Sequence, residues 1–422
     1  MSWRPAPFGG ILSPMPTPPT GRLRSIDLLR GAVMVLMAID HVRVYSGLPA
    51  GGPTPGIFFT RWVTHFCAPA FFFLAGTSAF LYARKHAGVA RFLVTRGLWL
   101  VVLELTILRV AWTFNADFAG YNMAGVIWSL GWCMVILALL TRLPLAAIGA
   151  FGLALIGGHN LLDGYMWELV GALDGGARSD LWRIGYIGFF GGPVVFGADG
   201  PPLIVLYSIV PWVGVMAAGY AFGGIMTLEP ARRNRLCLFI GLGAVAAFLL
   251  LRGFDLYGDP RPWRAQVEAQ PDGSPAMPAL LAFLNTSKYP ASLQFLLMAL
   301  GPVIALIAVL ERGAGRAAGM IAESALPRAV SVFGRVPFFY YVLHIPLIHV
   351  LALGVSKLRL GHVSPWLFEN HPMGVGPAPD GYAWSLPLLY LVFLIAIAIL
   401  YVPCRWFAEV KARRSESWLR YL

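Results

Sequence analysis

The sequence predicts an all-α, polytopic membrane protein with about ten transmembrane helices in one bundle, and three observations carry that expectation. Of its 422 residues, 58% are hydrophobic and only 12% charged, with a mean hydropathy of +0.69, far outside the range of soluble globular chains. Apolar runs long enough to cross a bilayer, which takes about 20 residues each, recur at 26–47, 57–83, 92–114, 121–141, 144–162, 203–227, 234–252, 289–310, 331–354 and 384–407. Basic residues gather in the connectors of alternate sides. With the N-terminus in the cytoplasm, twenty of the 32 Lys and Arg fall on the cytoplasmic side, ten on the opposite side and two, Arg30 and Arg109, in the membrane interior, as the positive-inside rule requires. The net charge of +12 is therefore an orientation signal, and no nucleic-acid partner is expected. The lipid bilayer is the expected surrounding, in the cell's inner (cytoplasmic) membrane, and an even number of spans leaves both termini cytoplasmic. The oligomeric state is not readable.

Taken in order, residues 1–21 form a cytoplasmic lead, with six prolines among the first twenty and no cleavage signature, so disorder is expected there. A single transmembrane domain is expected over 22–410, followed by a cytoplasmic tail at 411–422. The first span opens Arg24-Ser25-Ile26-Asp27-Leu28-Leu29-Arg30-Gly31 and ends at Asp40-His41. At about 100° per residue, Arg30 and His41 fall within about 20° of each other and roughly 16 Å apart along the axis. Asp27 shares their stripe, and ionisable groups at such depth are functional candidates by default.

The second span begins Thr64-His65-Phe66-Cys67-Ala68-Pro69. It descends from the outer face, so His65 and His41 stand at similar depth on helices joined by a short turn, and either imidazole suits proton transfer near neutral pH. The alternative is a histidine that only hydrogen-bonds a neighbouring helix or loop. The third span opens with Arg91 and Arg96 at the inner mouth and carries Glu104 and Arg109 deeper, where pairing with other polar groups is expected, Arg30 with Glu104 being one such pair. The ninth span, Arg335-Val336-Pro337-Phe338-Phe339-Tyr340-Tyr341-Val342-Leu343-His344 onward to His349, puts Tyr340 and His344 one turn apart on one face. They read either as a structural hydrogen bond or as the lining of a cavity.

Outward segments 163–202, 253–288 and 355–383 are long enough to form a vestibule. Their Trp182, Tyr186, Trp263, Trp366 and Tyr382 suit sugars, but are read first as an interfacial aromatic belt. The four cysteines, Cys67, Cys133, Cys237 and Cys404, sit in spans as small packing residues and form neither a disulfide framework nor a metal spacing. No metal is expected. Nucleotide loops, nucleophile elbows and inverted repeats are not evident.

Ser25-Ile26-Asp27-Leu28-Leu29-Arg30-Gly31, followed by the Phe-rich second span ending Phe73-Leu74-Ala75-Gly76-Thr77-Ser78, resembles the catalytic membrane domain of the heparan-alpha-glucosaminide N-acetyltransferase family and its bacterial relatives. The likeness is strongest over 22–83 and returns at 333–349. Arg30 and His41, with ten residues between them, also resemble the Arg-x10-His signature of the acyltransferase-3 family, whose late Tyr-x3-His pattern Tyr340 and His344 echo. The resemblance implies transfer of an acyl group, usually acetyl, from cytoplasmic acetyl-CoA or another acyl-CoA to a sugar amine or hydroxyl of a glycan or other acceptor on the periplasmic side. It implies His41, His65 and Asp27 as catalytic candidates, with histidine as general base or acyl carrier. Arg30, Arg91, Arg96, Arg335, Tyr340 and His344 become candidates for holding the donor, the arginines because guanidinium binds phosphate bidentately. Lysosomal members carry a catalytic histidine in the loop between the first two spans, whereas residues 47–60 contain none, so His41 or His65 takes the role. The alternative from another class is a proton-coupled transporter using the same polar line. A membrane scaffold, whose polar groups only set helix packing, is a third.

Overall fold

The structure, a computed structural model, describes residues 24–51, 54–165, 177–197, 200–268, 276–312, 324–370, 377–414, 416 and 419. The expected lead at 1–21, most of the tail beyond Arg414 and the centre of the 311–330 connector lie outside the described residues. Among the described residues, seven helical segments are long and apolar enough to cross a membrane: Pro55–Ala83, Leu145–Tyr165, Ile209–Thr227, Pro230–Gly253, Leu293–Glu311, Pro337–Leu360 and Leu386–Arg413.

In chain order, α1 (Arg24–Ser46) leads to α2 (Pro55–Trp62), which runs through a 3-10 turn at Val63–Phe66 into α3 (Cys67–Ala83). The third span is α4 (Val89–Leu103), a π turn at Glu104–Leu108 and α5 (Arg109–Thr113). Strand β1 (Asn122–Ala124) precedes α6 (Val126–Leu140), and α7 (Leu145–Gly158) follows. After α8 (Ala177–Trp182), strands β2 (Val194–Val195) and β3 (Pro202–Val205) lead into α9 (Ile209–Phe222) and α10 (Pro230–Gly253). The chain closes with α11 (Ala279–Leu284), α12 (Leu293–Arg312), α13 (Ala325–Arg335), α14 (Pro337–Leu360) and α15 (Leu386–Arg413). The all-α expectation holds, with α1, α4–α5 and α6 helical where the remaining three spans were expected.

The differences have local causes. Spans four and six were expected to be helical from 121 and 203, but their first residues are extended. Asn122 pairs with Leu203 in a parallel register and β2 adds an antiparallel edge at Val194. Pro202 disfavours helical backbone at Pro201 before it, and Gly125 and Ser208 take extended backbone as the N-caps of α6 and α9. The ninth span divides into α13 and α14 at Val336, because Pro337 suits the first turn of a new helix and disfavours helix before it.

Glycines set the tightest crossings. A Cβ at Gly334 would stand 1.8 Å from the Asp27 carbonyl oxygen, and one at Gly31 2.0 Å from that of Val330. Thus α1 and α13 touch backbone to backbone, which in a bilayer replaces the hydrophobic drive between helices. Gly76 and Gly219 do the same for α3 and α9, with 2.0 Å to Met216 and 2.1 Å to Phe73. These contacts fix the rotation of α1, and with it the direction each of its polar residues faces.

Candidate active site

A cavity of about 1310 Å³ occupies one end of the bundle. It is lined by Met37, Cys67, Ala68 and Phe71, by His41, His65, Glu104, Trp112 and Tyr341, and by residues within 49–51, 206–207, 260–266 and 285–290. Of the three long segments expected to cover this end, the first two contribute lining residues and the described part of 355–383 contributes none. Trp182, Tyr186, Trp263, Trp366 and Tyr382 also stay out of the lining. Trp366 and Tyr382 are instead buried against each other, with ring centroids 4.8 Å apart.

His41 and His344 meet directly. His41 Nδ1 lies 2.6 Å from His344 Nε2, and the rings stack at 4.8 Å with 25° between planes. His344 Nδ1 lies 2.6 Å from the Tyr341 carbonyl oxygen. A carbonyl can only accept, so His344 Nδ1 carries its proton and Nε2 keeps a lone pair. His41 Nδ1 must then donate to that lone pair, which leaves His41 Nε2 as the acceptor. His41 lines the cavity and His344, wholly buried, does not. Trp112 packs edge-on to His41 at 4.9 Å and Tyr341 at 6.5 Å, and the Tyr45 hydroxyl donates to the Trp112 carbonyl at 2.7 Å.

His65 lines the same cavity, so the structure brings the two expected histidines to one space. It stands edge-on to Phe295, and its Nδ1 is buried without a hydrogen-bond partner among the described residues. Glu104 is also in the wall, but the expected pair with Arg30 does not form. Its Oε2 instead accepts from the backbone N–H of Ile127 at 2.8 Å and Trp128 at 3.1 Å, capping α6 where the helix dipole favours a carboxylate. A Cβ at Gly125 would stand 2.9 Å from Glu104 Oε1, so any larger residue there would push the carboxylate from its present place. Arg109 turns toward the cavity end, donating to the Tyr121 carbonyl at 3.0 Å and the Asn115 side chain at 2.7 Å. Beside it Asn370 donates to Asp117, whose carboxyl is held below the usual carboxylate range, first by that bond.

The remaining candidates lie elsewhere. Arg30 donates to Ser78 Oγ at 2.8 Å and reaches the Gly334 carbonyl at 3.4 Å, with Asp27 Oδ1 at 3.8 Å. Asp27 is thus outside the cavity that holds His41, tied to an arginine that joins α1, α3 and α13. None of Arg30, Arg91, Arg96 and Arg335 belongs to the cavity lining. Arg91 is exposed, Arg96 lies over the Phe92 ring at 5.9 Å, and Arg335 ends α13. Tyr340 shares a face with His344, as their spacing predicts, and its ring stacks there at 5.1 Å, supporting the histidine from the side away from the cavity. Among the described residues, no three His, Cys, Asp or Glu side chains converge as a metal site.

Sequence reasoning passed over Asp40, Arg43, Arg61, Arg261, Lys288 and Tyr341, all of which line the cavity. Asp40 and Arg43 flank His41 and are bonded at 2.7 Å, a proximity already readable in the run Asp40-His41-Val42-Arg43. Arg261 and Lys288 had been counted only as outward charges.

A family model described as heparan-alpha-glucosaminide N-acetyltransferase, catalytic, matches residues 22–253, more than half of the chain. His41 and His65 lie inside that stretch and His344 beyond it. No curated protein matches the chain.

Proposed function

The chain belongs to the heparan-alpha-glucosaminide N-acetyltransferase catalytic family, and from that premise we propose that it transfers an acyl group, acetyl in the first instance, from acyl-CoA to an amine or hydroxyl of a glycan acceptor. The observation that carries this reading is the His344–His41 pair, which directs the basic His41 Nε2 at a cavity large enough for a sugar. In the step proposed, His41 Nε2 takes the proton of the acceptor amine or hydroxyl as its nitrogen or oxygen attacks the thioester carbonyl. The carbon–sulfur bond breaks, and the proton passes to the departing CoA thiolate. General-base assistance of this kind is worth about 10²–10⁴ in rate. His65 faces the same space and is the second candidate for the proton.

With both termini in the cytoplasm and the chain in the inner membrane, the cavity opens toward the periplasm and the arginine-rich end toward the acyl-CoA pool. Arg91, Arg96 and Arg335 are suited to the donor's phosphates there, while Arg30 braces that end. Arg91, Arg96 and Arg335 do not line the cavity that holds His41, so the reading requires a donor path that joins the two. The unit performing the reaction is the single domain at 22–410.

Purified protein in lipid nanodiscs, given radiolabelled acetyl-CoA and glucosamine, tests this directly. Label transfer that disappears in His41→Ala supports the reading. Absence of acetyl-CoA binding and hydrolysis, with solute flux driven by a pH gradient in proteoliposomes, would replace it with proton-coupled transport.

A further inference from the structure

Positive charge dominates the cavity that His41 faces. Arg43, Arg61, Arg261 and Lys288 line it, against Asp40 and Glu104. Both acids are already engaged, Asp40 with Arg43 at 2.7 Å and Glu104 with the start of α6.

Lys288 is the informative member. It is only 7% exposed, and among the described residues its ammonium has neither a hydrogen bond nor a carboxylate within ion-pair distance. Its Nζ lies over the Tyr289 ring at 5.3 Å and the Tyr207 ring at 5.9 Å, contacts that orient a cation without neutralising it. A charge so enclosed is costly unless paired.

The segment bearing it is held firmly. Asp259 accepts from the Ser287 backbone N–H at 2.7 Å and from the Ser292 hydroxyl at 2.8 Å. The fully buried Arg252 donates to the Ala282, Phe283 and Asn285 carbonyls. Arg261 joins the same unit, its Nε donating to Ser287 Oγ at 2.8 Å; burial lowers its pKa from the ordinary arginine value, with Asp259 opposing. Arg61, on α2, lines the same cavity with its guanidinium over the Tyr289 ring, 5.9 Å from the centroid. The cations are therefore mounted on two separate elements around one space.

We infer that this cluster, centred on Lys288 with Arg61 and Arg261, is a subsite for an oxyanion (phosphate, sulfate or carboxylate) carried by the acceptor, holding its nucleophile toward His41. This rests on the acyl-transfer reading for the identity of the ligand, but the binding site is testable apart from catalysis. The same chemistry is present in the phosphates of CoA, so the test has two arms.

Full-length protein in nanodiscs is titrated calorimetrically with glucosamine, glucosamine 6-phosphate and CoA. The wild type is expected to bind the phosphorylated sugar about tenfold or more tightly than glucosamine, as for a charge-assisted contact. Lys288→Gln removes that preference, Lys288→Arg retains it, and CoA affinity is unchanged in both. Arg61→Gln reduces the preference in part and guards against a folding artefact at position 288. Equal affinity for the two sugars in the wild type, or a preference that survives Lys288→Gln, overturns the inference. A loss confined to CoA gives the subsite to the donor and overturns its assignment to the acceptor. If the sugar preference behaves as expected but no acetyl transfer is found, the anion site stands and the acyltransferase reading falls.

Discussion

Two ends of one helix put their charges to opposite uses. At its first turns α1 carries Asp27 and Arg30, and at its last Asp40, His41 and Arg43. Arg30 is spent on the fold, bonded to Ser78 and reaching Gly334 beside Asp27. Nearby, Glu311 accepts from Ser25 and from Arg233, gathering α1, α10 and α12. At the cavity end, His41 makes its one polar contact among the described residues with another histidine and keeps its second nitrogen for the cavity. The lesson is that an ionisable group inside a membrane protein announces a constraint, not its kind. What separates strut from reagent is whether the protein's own groups use up its hydrogen-bonding capacity.

The sharpest way to break this contrast is to remove one residue from each end. His41→Ala should lower acetyl transfer by about 10²–10⁴ while leaving thermal stability in nanodiscs nearly unchanged. A variant that retains activity would mean that His65 or another group is the base. His344→Leu comes next. It leaves His41 Nδ1–H without its acceptor, so the ring is free to turn and to adopt the other tautomer; kcat should fall about 10–100-fold, with KM much less affected. His344→Gln supplies an acceptor oxygen at that position and should recover part of the loss, an outcome that mere packing damage would not give.

At the opposite end the readout changes from rate to stability. Gly334→Val forces side-chain atoms into the Asp27 carbonyl, where even a Cβ would stand at 1.8 Å. Relief requires α1 and α13 to separate, so a loss of about 3 kcal/mol or more is expected, seen as a lower melting temperature by scanning fluorimetry. Arg30→Gln should cost less, about 1–3 kcal/mol, by breaking the bond to Ser78. If Arg30→Gln instead abolished transfer in a fully stable protein, the two ends would have the same use and the contrast would fail.

Much of this was legible in the chain. The helical spans and the polar line of α1 follow from hydropathy and helical periodicity, since each is a local property of consecutive residues. The Tyr340–His344 turn was readable for the same reason. The pairings were not. Glu104 was expected near Arg30, yet its nearest donors are backbone N–H groups of α6, which carry no side-chain signature. His41 and His344 lie 303 residues apart, and only the rotation imposed by the Gly31–Gly334 contact makes them meet. Lys288 and Arg261 were hidden in a segment whose charges informed orientation alone, because a loop's fold, here set by Arg252 and Asp259, cannot be read from periodicity.

The smallest effect expected concerns Arg91 and Arg96, and it tests whether the arginine end is more than scaffolding. Arg91 is exposed, so its substitution empties no packed site, and stability should change by no more than about 0.5 kcal/mol in Arg91→Gln. If donor phosphates dock there, Arg91→Gln and Arg96→Gln each remove one charge-assisted contact that is the same in the ground and transition states. KM for acetyl-CoA should then rise several-fold with kcat unchanged, and the increase should shrink at high salt, which screens exposed charges. Steady-state kinetics over a range of acetyl-CoA concentrations decide the matter. A KM that does not move would leave Arg91 and Arg96 as orientation charges and shift the search for the donor's phosphates to the cationic cavity at the other end of α1.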